Sequence, residues 1–187
     1  MERKLSSKQL LRNLLLVARD PFSSESKIKD IKKILATSNS FQGINHLVLV
    51  KTYFSKDLFP FYVTKEEAYE QADLAIKDNN YNGYYYLYLL YLEDENFDKA
   101  RNALNAAAAY YVESALLEIA RLKKEGIIYE KNIDDAIKYY LEACKLGSRE
   151  AYFSLQLLYT EIGDYKKAKE VYNEAEDKGI KLLGVVN

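Results

Sequence analysis

Residues 115–151 read ALLEIARLKKEGIIYEKNIDDAIKYYLEACKLGSREA, and this stretch decides the fold. Ala115, Ile119, Ala120 and Leu122 recur at the spacing of a helix with one apolar stripe. Gly126 then ends the first periodic segment, as glycine does where a helix closes on a left-handed residue. Asn132 follows, with Asp135 three positions on, a pattern close to a capping box for a second helix. That helix carries Ala136, Tyr139, Tyr140 and Ala143 on one stripe and stops near Gly147. Two such helices joined by a short turn make a hairpin whose apolar face needs neighbours to bury it.

Those neighbours are written in the same chain. Four alanines are each followed seven residues later by another: Ala68/Ala75, Ala100/Ala107, Ala136/Ala143 and Ala168/Ala175. The leading alanines are 32, 36 and 32 residues apart, and Gly83, Ala115 and Ala151 lie fifteen residues after the first three. Self-similarity at this period marks stacked helical hairpins. Seven residues is close to two helical turns, so each pair shares a face where a small side chain lets the partner helix approach. Thr64 and Glu67 form a fuller capping box before Ala68, Asn96 caps the helix of Ala100, and Gly163-Asp164 leads into the helix of Ala168. Upstream, Ile28, Ile31, Leu35 and Asn39 overlay on the second-helix pattern, because Ile28 lies fifteen residues before Gly43. The predicted organisation is a degenerate helical N-terminal cap over residues 1–40, about four hairpins over 41–179, and a C-terminal tail or cap over 180–187. Leu11, Leu14, Leu15 and Ala18 form an apolar stripe in the cap, and Ile180–Val186 reads as a lid over the last hairpin.

Composition narrows the class. The 187 residues suffice for one domain or repeat array, and 49% hydrophobic with 29% charged content is ordinary for a folded soluble chain. With 27 basic and 28 acidic side chains, no global field draws nucleic acid or an anionic membrane. Residues 1–36 hold nine Lys/Arg against four acids, either a solvated face or a contact for an acidic partner. Stacking aromatics are not interleaved with those lysines, so no nucleic acid is expected. Cys144 is the sole cysteine, which excludes an intramolecular disulfide, and its helix-core spacing predicts a buried thiol. Without a membrane-length apolar run or a secretory pattern, the expected compartment is the cytoplasm.

The quoted residues resemble the Sel-one-like repeat, a relative of the tetratricopeptide repeat. Ala115, Ile119-Ala120, Gly126, Ala136, Tyr139, Ala143, Gly147 and Ala151 look like one complete unit, with Ile128 standing where the family's turn has a second glycine. The flanking hairpins, Tyr84 to Ala100 and Tyr152 to Ala168, have shorter turns and look more like tetratricopeptide units. The resemblance implies an all-α, right-handed superhelix of antiparallel hairpins that acts as an adaptor. It further implies that the first helix of each hairpin lines a concave face. Carried over residue by residue, that face holds Asn45, Leu49 and Tyr53, then Tyr85, Leu89 and Leu92, then Leu117, Arg121 and Lys124, then Phe153, Leu157 and Thr160. The candidate peptide-binding set is Tyr85, Leu89, Leu117, Arg121, Lys124, Phe153 and Leu157. Apolar and aromatic with two cations, it suits an extended or helical peptide bearing an acidic group.

Enzymatic readings find little support. His46 is the only histidine and sits near the start of an apolar helix, where packing or capping accounts for it. No Cys/His cluster has metal-ligand spacing, no glycine loop cradles a phosphate, and no cofactor is expected. Glu66-Glu67 and Asp134-Asp135 fall in first helical turns, where carboxylates complement the helix dipole. Tyrosine is the oddity, with eighteen and no tryptophan. Tyr81, Tyr84, Tyr85, Tyr86, Tyr88 and Tyr91 crowd one helix, a run that predicts some exposed rings, either as a contact surface or as filling opposite an alanine-rich partner. Two functions remain open: a non-enzymatic adaptor binding a protein or peptide, as a monomer or weak dimer, and a structural or self-associating subunit of a larger complex.

Overall fold

The computed structural model describes residues 25–37, 43–55 and 63–182, together with positions 12 and 16. Among them, regular structure is entirely helical: α1 Glu25–Thr37, α2 Ile44–Phe54, α3 Lys65–Lys77, α4 Asn82–Glu93, α5 Phe97–Ala109, α6 Glu113–Glu125, α7 Ile133–Lys145, α8 Arg149–Glu161 and α9 Tyr165–Asp177. None is long and apolar enough to cross a membrane. The chain forms two compact units, residues 1–103 and 104–187, with the boundary inside α5. In the first, α1 packs on α2, α2 on α3, and α3 on α4. In the second, α6 packs on α7, α7 on α8, and α8 on α9.

The ends of the helices explain why they stop where they do. After α3, α4, α5, α6, α7, α8 and α9 comes a residue with positive φ: Asn79, Glu95, Tyr111, Gly126, Gly147, Gly163 and Gly179. The next amide reaches back five residues, as in Asn96 N–H to Tyr91 O at 2.9 Å and Asp164 N–H to Tyr159 O at 2.8 Å. This is the Schellman closure, which satisfies carbonyls that a helix end leaves open. New helices start on side-chain caps. Thr64 Oγ1 accepts from Glu67 N–H at 3.1 Å while Glu67 Oε2 accepts from Thr64 N–H at 2.8 Å, completing the capping box. Asn96, Asn132, Ser148 and Asp164 each accept from the amide three residues on. Ile128 also adopts positive φ, 64°, so the turn keeps a left-handed residue although glycine is missing.

The alanine pairs are buried as expected: Ala68, Ala75, Ala100, Ala107, Ala136, Ala143 and Ala175 are fully enclosed, and Ala168 nearly so. Gly83 shows how close the helices come. A Cβ there would lie 2.5 Å from the Ala72 carbonyl oxygen and 2.7 Å from Ile76 Cγ1, whereas Ala115 and Ala151 hold the matching register with a methyl group. In the second unit Leu116, Tyr152, Leu155, Leu158 and Cys144 fill the space that the alanines leave. Leu182 joins this core; residues 183–187, the greater part of the expected lid, lie outside the described residues. Ile31 and Leu35 are buried, in keeping with the overlay of α1 on a second helix. The stripe of Leu11, Leu14, Leu15 and Ala18 lies outside the described residues, as do Asn39 and positions 56–62.

Candidate functional site

The first unit holds less of the expected face than the sequence implied. Asn45, Leu49 and Tyr53 on α2 are core residues, at 0%, 2% and 7% exposure. Asn45 donates to the Leu35 carbonyl, and Tyr53 O–H donates to Glu93 Oε2 at 2.6 Å. These three are therefore removed from the candidate face, because α1 and α4 cover α2 where an open array would leave it bare. Tyr85, Leu89 and Leu92 on α4 are half-buried. The Tyr85 ring sits 6.2 Å from Tyr86 and 5.7 Å from Tyr88, and Tyr86 in turn lies 6.1 Å from Phe54. Burial pushes the Tyr86 hydroxyl up to about 12. None of the α4 tyrosines is exposed, which corrects the expectation of bare rings on that helix.

Exposed aromatics occur elsewhere. Tyr110 and Tyr111 follow α5, and Tyr165 opens α9. A helix-periodicity argument misses them because they sit at turns, where a side chain projects past the end of its own packing face. The available signal was their position beside a helix end.

The second unit presents the other candidates on α6 and α8, the first helices of successive hairpins. Leu117 is half-buried against the core, while Phe153 and Leu157, one helical turn apart on α8, remain 44% and 46% exposed. Arg121 is not an open cation. Its guanidinium donates to Glu118 at 3.0 and 2.8 Å and to Glu125 at 2.6 Å, all on α6. Lys124 reaches across to Glu161 of α8 at 3.1 Å, bringing the ends of the two helices together. Thr160 Oγ1 is turned to the Gln156 carbonyl at 2.9 Å. Both cations of the stripe are thus already engaged by carboxylates, which removes the reason for expecting an acidic group on the ligand. Nearby Tyr140 has its hydroxyl pushed up by burial despite a hydrogen bond with Ser154.

The groups with chemical potential elsewhere are enclosed. His46 is 3% exposed, with Nδ1 2.7 Å from Gln71 Oε1 and Nε2 3.4 Å from Asp78 Oδ2, so it pins α2 to α3 inside the first core. Cys144 is buried, and desolvation pushes its thiol up to about 12, far from a reactive thiolate at neutral pH. Among the described residues no group of three His, Cys, Asp or Glu side chains could hold a metal ion. The arrangement offers surface contact, with apolar side chains bordered by ion pairs.

No protein-family model matches the chain, and no curated protein matches it. Its structure is similar to the crystal structure of a Sel1 repeat protein from Oxalobacter formigenes, with a TM-score of 0.68 at 17% sequence identity. The likeness covers 91% of this chain and 68% of that one. Identity this low makes it a likeness of fold, an all-α helical repeat.

Proposed function

We propose that a chain with this helical-repeat fold is a non-enzymatic, cytoplasmic protein-interaction module, and that α6 and α8 of its second unit bind a peptide or protein segment. The observation that carries this reading is the pair Phe153 and Leu157. Both point out of a helix whose other apolar side chains Ala151, Tyr152, Leu155, Leu158 and Tyr159 are buried. Exposed aromatic and aliphatic side chains at helical spacing, with polar groups around them, are the form of a helix-in-groove or extended-peptide contact. Leu117, Arg121 and Lys124 complete the contact in this unit, and Tyr85 and Leu89 offer a smaller patch in the first. The test is capture of partners from the native cytoplasm with the wild-type chain and with Phe153→Ala. A partner held by wild type and lost by the variant supports the reading; identical captures sink it.

A second reading, a self-associating or structural subunit, draws on a different observation. Tyr110, Tyr111 and Leu146 are exposed on turns of the second unit. Aromatic side chains gathered at such an edge suit a protein contact. Sedimentation at several concentrations separates the two, since a monomer throughout favours the peptide-binding module.

A further inference from the structure

Asn82-Gly83, at the start of α4, is the one Asn-Gly pair in the sequence. Asparagine before glycine is chemically unstable, because the next amide nitrogen can attack the side-chain carbonyl carbon and glycine has no Cβ to obstruct it. That attack forms an N–C bond, expels the side-chain nitrogen as ammonia and leaves a five-membered succinimide. Water then opens the ring at either carbonyl, giving aspartate, or isoaspartate with one more methylene in the main chain. Packing is what requires glycine here, since a Cβ would lie 2.5 Å from the Ala72 carbonyl oxygen of α3. At the matching register of α6 and α8, Ala115 and Ala151 follow Ser114 and Glu150, which have no side-chain amide to lose.

The fold holds this pair out of reaction. Gly83 is buried, and its N–H, the attacking group, donates to the Asn80 carbonyl at 3.1 Å. Asn82 is exposed, so water reaches it, but its side-chain amide donates to Asn80 Oδ1 at 3.0 Å and its backbone is helical. The chain must rotate out of the helix to bring the Gly83 nitrogen onto the Asn82 side chain. Ring closure also strips the hydrogen from that nitrogen, so its bond to Asn80 is lost, as it would be at a proline. We infer that Asn82 is a site of spontaneous deamidation whose rate is set by α4 opening away from α3, and that the isoaspartate product keeps α4 from re-seating. The extra methylene falls beside Gly83, where even a Cβ would force a neighbour to shift. The aspartate product is mild by comparison, since a carboxylate in the first turn complements the helix dipole. A packing requirement thus becomes, with age, a one-way loosening of the first unit.

The test incubates the full chain at neutral pH in buffer, in sub-denaturing urea and in denaturing urea. Mass spectrometry then follows the peptide released by cleavage after Lys77 and Lys99. In denaturing urea Asn82 should deamidate faster than Asn79, Asn80 and Asn96 of the same peptide; a rate no higher than theirs overturns the site. In buffer its rate should fall about tenfold or more, because reaction then waits on local opening, and it should climb through the sub-denaturing range. Equal rates in buffer and in denaturing urea overturn the control by packing. Ala75→Leu, which crowds α3 where Ala75 is wholly enclosed, should speed the reaction in buffer. If that variant does not fold, the urea series decides alone. Chains with isoaspartate at position 82, separated by chromatography, should exchange the amides of α4 faster and unfold at a lower midpoint than Asn82→Asp. Identical behaviour of the two overturns the claim that isoaspartate blocks re-seating.

Discussion

Single side chains in this protein show where local preference yields to the repeat. Ile128 is β-branched, yet it holds a φ of 64°, a conformation in which its Cβ is crowded by the following carbonyl. It is held there by a turn that closes α6 with Gly126 and then leads to the cap of α7. Ile128→Gly should remove the strain and raise stability by about 1–2 kcal/mol, read as a rise in the denaturation midpoint; no change would mean the turn relaxes the strain by other means. Ala143 illustrates the opposite constraint. Wholly enclosed, it leaves no room for three further carbon atoms, so Ala143→Leu should destabilise by about 1–3 kcal/mol. Lys138→Ala, on the exposed side of the same helix, should do little. Similar losses from both would place α7 in another register.

At the scale of elements, what varies is how close neighbouring helices come. Gly83 at the start of α4 lies against the carbonyl of Ala72 on α3, a contact that the alanines of the matching register in α6 and α8 do not require. Gly83→Ala should therefore cost about 1–3 kcal/mol and move α4 off α3. Ala151→Gly, in contrast, should cost about 1 kcal/mol, the helix-propensity effect of a glycine. Comparing the two by chemical denaturation separates a steric requirement from a preference. Caps are equally local. Asn132→Ala removes the oxygen that accepts from Asp135 N–H and should cost about 1 kcal/mol.

For the molecule as a whole, ion pairs tie helices together and set the response to acid. Asp135 is held below the usual carboxylate range by Lys123 and then Lys138, Asp94 by Lys65 and then Tyr69, and Glu174 by Lys178 and then Tyr152. Each depressed carboxyl contributes stability that is fully present above its unfolded value, about 4, and is lost as pH falls through its lower folded value. Thermal unfolding followed between neutral and strongly acidic pH should show a nearly flat midpoint down to about pH 4 and a decline below it. A decline already complete at pH 5 would assign acid sensitivity to other groups. Circular dichroism should meanwhile report helix without sheet, matching the described residues.

The sequence by itself determined the helices, their ends and their pairing. Alanine spacing, capping residues and glycines act within one or two turns, and their physics is local enough to be read from a string of letters. Thus Ala136 and Ala143, Thr64 with Glu67, and Gly126 all fall where the periodicity put them. Exposure and pairing were decided only in three dimensions. Nothing in the spacing of Tyr53 says that Glu93, forty residues away, accepts a hydrogen bond from its hydroxyl, nor that Tyr85 and Tyr86 find rings to lean on. Arg121 read as a free cation because its partners, three and four residues off, were equally consistent with a solvated helix face. Phe153 and Leu157 were legible as surface positions, yet their standing as a bare apolar pair depended on which neighbouring side chains failed to cover them. Burial is a property of all the packed elements at once, and only the tertiary structure adds them together.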